Sequence, residues 1–169
     1  MSKEIDPPVR NILATRIHAN TCFFADELDV FGDGVSGASL YNQAMSLPLY
    51  QQKKKFLFES GVSHQAWCLT HNRLCNLSTG AACRVGGPPC VDWSAAGDKL
   101  GYDGRTLPTF FAYGAKCQST STLVACLENV PEMPLDLAVD NLSPKFSVEQ
   151  YPVWPALVGF EFVRRPRCH

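Results

Sequence analysis

The sequence predicts an α/β fold. Three segments carry that prediction. Ala81-Ala82-Cys83-Arg84-Val85 is a short buried-strand pattern that runs into Gly86-Gly87-Pro88-Pro89. Residues 106 to 116 have helical composition, and Pro108 sits where a first helical turn tolerates it. Thr122-Leu123-Val124-Ala125-Cys126-Leu127 is nearly all apolar, as a central parallel strand is when both of its faces are covered. Strand, helix, strand in this order implies a right-handed crossover in a parallel sheet.

The upstream half is less regular. Residues 1 to 20 read as a polar lead-in with room for a short helix. Thr21-Cys22-Phe23-Phe24 is a short apolar strand pattern. The glycine-rich stretch Phe31-Gly32-Asp33-Gly34-Val35-Ser36-Gly37 is a turn. Residues 38 to 47 have helical composition and stop at Pro48. Periodicity leaves 53 to 60 open between helix and strand. Residues 64 to 83, rich in Cys, His and Asn, read as an irregular insertion.

Composition sets the outer limits. The 169 residues, 46% of them hydrophobic, suit one domain with a sizeable core. A net charge of -1 lacks the basic surplus of a protein that grips a duplex mainly through phosphates. Basic residues cluster only at Lys53-Lys54-Lys55 and at Arg164-Arg165-Pro166-Arg167, which makes this segment a weak DNA holder. No apolar stretch suits a signal peptide or a membrane span, so an intracellular protein is expected, nuclear in a eukaryote. In a reducing compartment the eight cysteines point to thiols, a metal or catalysis rather than disulfides.

Sites in open α/β sheets lie beyond the carboxyl ends of the strands. Two strand ends carry reactive groups here. One runs into Pro88-Pro89-Cys90, the other into Glu128-Asn129-Val130. If the strands are neighbours, a thiol and a carboxylate face one crevice. A nucleophilic thiol needs a lowered pKa or a nearby base, and the amides after Cys90 are candidates for holding a thiolate. A buried structural cysteine is the ordinary reading of any one of these thiols. The pairing of Cys90 with Glu128 across one helix argues against it.

Pro88-Pro89-Cys90-Val91-Asp92-Trp93-Ser94, followed by Gly97, Gly101 and Gly104, resembles the nucleophile loop of the cytosine-C5 DNA methyltransferases. Glu128-Asn129-Val130 resembles that family's second catalytic motif. Val163-Arg164-Arg165-Pro166-Arg167 resembles its Gln-x-Arg-x-Arg motif. The resemblance spans about residues 81 to 169. It implies a Rossmann-like, S-adenosylmethionine-dependent methyltransferase fold, incomplete in this chain. Residues 1–169 would form a partial catalytic domain, with a Cys/His-rich insertion at about 61–80 and no target-recognition domain.

The mechanism implied by the resemblance starts with a cytosine flipped out of DNA. Cys90 attacks C6 while Glu128 hydrogen-bonds N3 and the exocyclic amine. C5 then takes a methyl group from S-adenosylmethionine. Arg165 and Arg167 join the catalytic set by contacting the base carbonyl and a phosphate. Asn129 braces the Glu128 loop and, with Ser94, belongs to the substrate site. Asp26 and Pro89 fall to the cofactor. The chain departs from the pattern at Val91 and Val163, where the family has Gln, and at Trp93, where it has Phe. None of these removes a bond-making group.

The family's Phe-x-Gly-x-Gly-Gly cofactor turn is not matched by 31 to 37. Those residues fit Gly-x-Gly-x-x-Gly letter for letter, which is a weak signal alone. The competing alignment places Phe24-Ala25-Asp26 on the family's Phe-x-Asp element. Cys68-x-x-His71-x-x-x-Cys75 and Cys83, with His64 just before, offer four zinc ligands. The spacing matches no standard finger, and the insertion is read as metal-free. Three functions compete: a methylating enzyme or a piece of one, a catalytically inactive binding module of the same fold, and a cysteine hydrolase. The hydrolase needs a histidine beside Cys90, and nothing in the sequence places one there.

Overall fold

The computed structural model describes Cys22, Phe24, residues 27–32, 34–77 and 80–153, and the backbone of 167 and 168. A 3-10 turn, Glu27–Val30, precedes helices α1 (Gly37–Ser46) and α2 (Tyr50–Ser60). Strands β1 (Gln65–Cys68), β2 (Arg73–Asn76) and β3 (Cys83–Gly86) follow. Then come α3 (Leu107–Ser119), β4 (Val124–Leu127), α4 (Leu135–Leu142), and the short strands β5 (Pro152–Val153) and β6 (Arg167–Cys168).

The predicted strand–helix–strand unit is present. β3 and β4 pair in parallel, Cys83 opposite Val124 through Gly86 opposite Leu127, and α3 connects them. Pro108 lies in the first turn of α3, where its missing N–H is no loss. The helix is apolar nearly all round, and that composition suits an interior position. Its residues from Leu107 through Ala115 are buried, and it packs between α2 and α4. Phe111, fully buried, is its largest contribution to the core. Tyr113 faces the sheet and donates its hydroxyl to the Cys126 carbonyl at 2.8 Å. Burial pushes the Tyr113 phenol upward, so it stays a protonated donor. Burial likewise raises the Cys117 thiol on the same helix, as suits an inert core cysteine.

Three sequence expectations need correction. The stretch 64 to 83 is not irregular, because β1 and β2 form an antiparallel hairpin with Ala66 opposite Cys75. Its strands are only four residues long, and their outer face carries the apolar Trp67 and Leu74 beside Gln65 and Asn76, so the apolar–polar alternation that signals a half-buried strand is absent.

Nor is β4 covered on both faces. Val85, Leu123 and Val124 are 78%, 77% and 54% exposed, while Ala125 and Leu127 alternate inward toward α3. An apolar run cannot reveal this, since its letters are the same whether one face or two are packed. Leu123→Lys is therefore expected to change unfolding free energy by less than about 0.5 kcal/mol in a urea titration. A loss above about 2 kcal/mol would mean that this face is packed after all.

The Lys53-Lys54-Lys55 run is not a basic patch. Lys53 is buried at 4% exposure, Lys54 pairs with Asp140 at 2.8 Å, and Lys55 lies 3.8 Å from Glu59. The helical period sends adjacent side chains in different directions, so a run of like charge in sequence is not one in space. No helix among the described residues is long and apolar enough to cross a membrane.

Candidate active site

The parallel pairing of β3 with β4 puts their carboxyl ends side by side. Gly86 ends β3 and the loop 87–106 leaves from it; Leu127 ends β4 and Glu128 follows. The Glu128 N–H extends the ladder by donating to the Gly86 carbonyl at 2.8 Å. The Glu128 carboxylate lies against the other loop, since a Cβ at Gly87 would stand 3.1 Å from its Oε2. Asn129, buried at 4% exposure, donates its side-chain amide to the Pro88 carbonyl at 3.3 Å and accepts from the Val130 N–H at 2.9 Å. One side chain thus ties the two loops together. Pro88 is buried, while Pro89, Cys90 and Ser94 are half-buried.

The loop after Cys90 is a folded unit. Trp93 and Ser94 donate their N–H groups to the Cys90 carbonyl at 3.0 and 2.8 Å. Two of the amides expected for a thiolate are therefore turned to the backbone instead. Asp98 and Lys99 donate back to the Val91 carbonyl, and Gly101 to that of Asp92. A Cβ at Gly97 would run into the Val91 carbonyl, so a glycine is needed at this close approach. The Trp93 ring meets Tyr102 edge-on at 5.5 Å, Tyr102 meets Tyr50 of α2 at 4.9 Å, and Tyr50 stacks on Phe111 at 6.4 Å. This chain of rings runs from the loop into the core.

Asp92 is the anchor that sequence reasoning missed. It is 1% exposed, and its Oδ2 accepts the Thr106 N–H at 2.8 Å and the Thr106 hydroxyl. Thr106 is the N-cap of α3, so the carboxylate also meets the positive end of the helix dipole. The only sequence signal was an Asp fourteen residues ahead of a helix start, and that separation belongs to no local capping pattern.

Among the described residues of 31–37, the turn lacks two features of a nucleotide-binding glycine turn. A nucleotide-binding glycine turn follows a strand and leaves its amides for the ligand. Here the turn follows the 3-10 segment Glu27–Val30, and several of the amides in and just after it are used internally. Gly37 donates to Asp29 Oδ1 at 3.0 Å, Val35 to the Gly32 carbonyl at 2.9 Å, and Ser39 to the Ser36 hydroxyl at 3.3 Å. It is a capped helix start. Asp26 and Arg165 lie outside the described residues, as do Ala25 and Asp33 of the two cofactor alignments. Of Arg167 only the backbone is described, paired with Val153. A cavity of about 440 Å³ lies along β4, Met133, α4 and 146–151, and its lining includes Asn129 but neither Cys90 nor Glu128.

Residues 81–154 match the family model of the C-5 cytosine-specific DNA methylases. This stretch, under half of the chain, supports a divergent member or a fragment of that family. It contains the loop that carries Cys90, the Glu128-Asn129-Val130 end and the α/β unit that joins them. The third motif, at 163 to 167, lies beyond the matched stretch. No curated protein and no solved structure matches the chain.

Proposed function

We propose that this chain carries the base-activating part of a DNA cytosine-C5 methyltransferase, on a Rossmann-like framework of which β3, α3 and β4 are a portion. The observation that carries this reading is the meeting of the two strand ends: Glu128 against Gly87, and Asn129 bonded to Pro88, one residue short of Pro89-Cys90. A flipped-out cytosine lies between the two loops. The Cys90 thiolate forms a bond from Sγ to C6, and the electron pair of the C5–C6 double bond moves through the ring to N3. Glu128 holds N3 and the exocyclic amine and shares the proton that neutralises N3. The resulting enamine makes C5 nucleophilic.

Loss of the C5 proton and departure of Sγ restore the ring after C5 has taken an electrophile. Asn129 positions Glu128 against the nucleophile loop, and Ser94 belongs to the wall facing the base. Pro89 is assigned to the methyl-donor side, together with Asp26. Arg165 and Arg167 contact the base carbonyl and phosphate. The family takes its methyl group from S-adenosylmethionine. A DNA substrate places the protein with the genome, in the nucleus of a eukaryote.

The base-activating steps can be tested without a methyl donor. In D₂O the C5 enamine takes a deuteron and then loses its original proton. The wild-type chain is expected to exchange H5 of cytosine in an oligonucleotide faster than protein-free buffer, read by mass spectrometry. The competing reading, a non-catalytic module, is favoured by the internally capped glycine turn. Oligonucleotide binding with no H5 exchange would decide for that module.

A further inference from the structure

Cys22, Cys68, His71 and Cys75 converge. Their ligand atoms all lie within 4.8 Å of one another. Cys22 Sγ, Cys68 Sγ and Cys75 Sγ stand 3.6, 3.3 and 3.4 Å from one atom, His71 Nδ1. We propose that these four residues form a structural zinc site.

Hydrogen bonding alone does not account for the arrangement. An imidazole nitrogen has either one proton or one lone pair, so it serves one good partner, not three. A shared cation does account for it. With Zn–S of about 2.3 Å and Zn–N of about 2.0–2.1 Å, a tetrahedron has S···N edges of about 3.6 Å. The three observed separations lie at or slightly inside that value. Three cysteine sulfurs and one imidazole nitrogen are a donor set that favours zinc over the hard, oxygen-seeking cations. Four protein ligands complete the shell and leave no place for a water, so the site is structural and not hydrolytic.

The fold explains how these ligands meet. Ala66 and Cys75 are opposite in the hairpin, and Cys68 is two residues on from Ala66, so the period of two puts Cys68 and Cys75 on one face. His71 sits in the turn between them, next to Asn72 at φ 48°. Cys22 comes from far upstream, through an antiparallel bridge between Phe24 and Cys68. Cys83, which the sequence spacing suggested as the fourth ligand, is exposed at the start of β3 and pairs with Val124 instead. Zinc would fasten the segment before the Glu27–Val30 turn to the hairpin that precedes β3. It shares no residue with the Cys90–Glu128 pair, so metal content can be tested independently of methyltransferase chemistry.

The experiment is metal analysis of the full chain, purified under reducing conditions and reconstituted with zinc, then with cobalt(II). One tightly held zinc per chain is expected, and the cobalt form should show the visible bands of a tetrahedral thiolate site. Cys22→Ser and Cys75→Ser should lose the metal. Cys83→Ser should keep a full equivalent, and His71→Cys should keep zinc as a four-thiolate site. The last two variants guard against loss of metal through misfolding. A reconstituted wild type without zinc would overturn the site, as would iron with an iron–sulfur spectrum. Full zinc in Cys22→Ser would overturn this ligand set, and loss from a folded Cys83→Ser would return the site to the spacing-based set.

Discussion

Cys90→Ser is expected to abolish covalent trapping of the chain on 5-azacytosine DNA, and Glu128→Gln to slow it by about 10²–10⁴-fold. The two losses differ in kind. Serine keeps the size of the half-buried Cys90 side chain but puts a hydroxyl, a much weaker nucleophile than sulfur, in its place. Glutamine at 128 keeps the shape that rests against Gly87 and can still hydrogen-bond the ring, but it cannot exchange a proton with N3. Both variants should unfold within about 0.5 kcal/mol of wild type, since neither change opens a cavity. Denaturing electrophoresis reads the adduct and urea titration reads the fold. Equal trapping by wild type and Cys90→Ser would remove Cys90 from the nucleophile role. Unchanged trapping by Glu128→Gln would leave Cys90 in place and move the proton donor elsewhere.

The features legible in the sequence are those specified locally. A strand, a helix with Pro108 in its first turn and a second strand follow from residues that are neighbours in the chain, and the parallel pairing of β3 with β4 fits them. The meeting of Glu128-Asn129 with Pro88 follows once the strands are adjacent, because each motif sits just past a strand end. What escaped depends on contacts between distant residues. Cys22 and Cys68 are brought together by a bridge at Phe24, and no ligand-spacing rule reaches across that separation. Spacing therefore favoured Cys83, which is nearer in sequence and turned away in the fold. The exposed side of β4 was equally hidden, because coverage depends on what packs on the sheet and not on the strand's own letters. Lys53, Lys54 and Lys55 show the same limit at short range: helix geometry gives them a buried, a paired and an exposed position.

Asp92→Ala should lower the unfolding free energy by about 2–3 kcal/mol, in the range of a hydrogen-bonded charge lost from a buried cap. The carboxylate joins the Cys90 loop directly to the start of α3, through the Thr106 N–H and hydroxyl. Alanine leaves both donors without that acceptor. Asp92→Asn keeps an acceptor oxygen for Thr106 and gives up only the charge, so its cost should be smaller, about 1 kcal/mol. Gly104→Ala attacks the same contact from the other side, because its Cβ would collide with the Asp92 carboxyl. Since both changes break one interaction, Asp92→Ala combined with Gly104→Ala should cost less than the two separately. Full additivity would mean that they act on different contacts. The loop bonds at the Cys90, Val91 and Asp92 carbonyls remain in every variant, so Cys90 keeps its local turn while losing its fixed relation to α3. Trapping on 5-azacytosine DNA should then slow in Asp92→Ala at temperatures where the protein is still folded, and recover in Asp92→Asn. If Asp92→Ala matched wild type in both stability and trapping, the anchor would lie in the Trp93–Tyr102–Tyr50 rings instead.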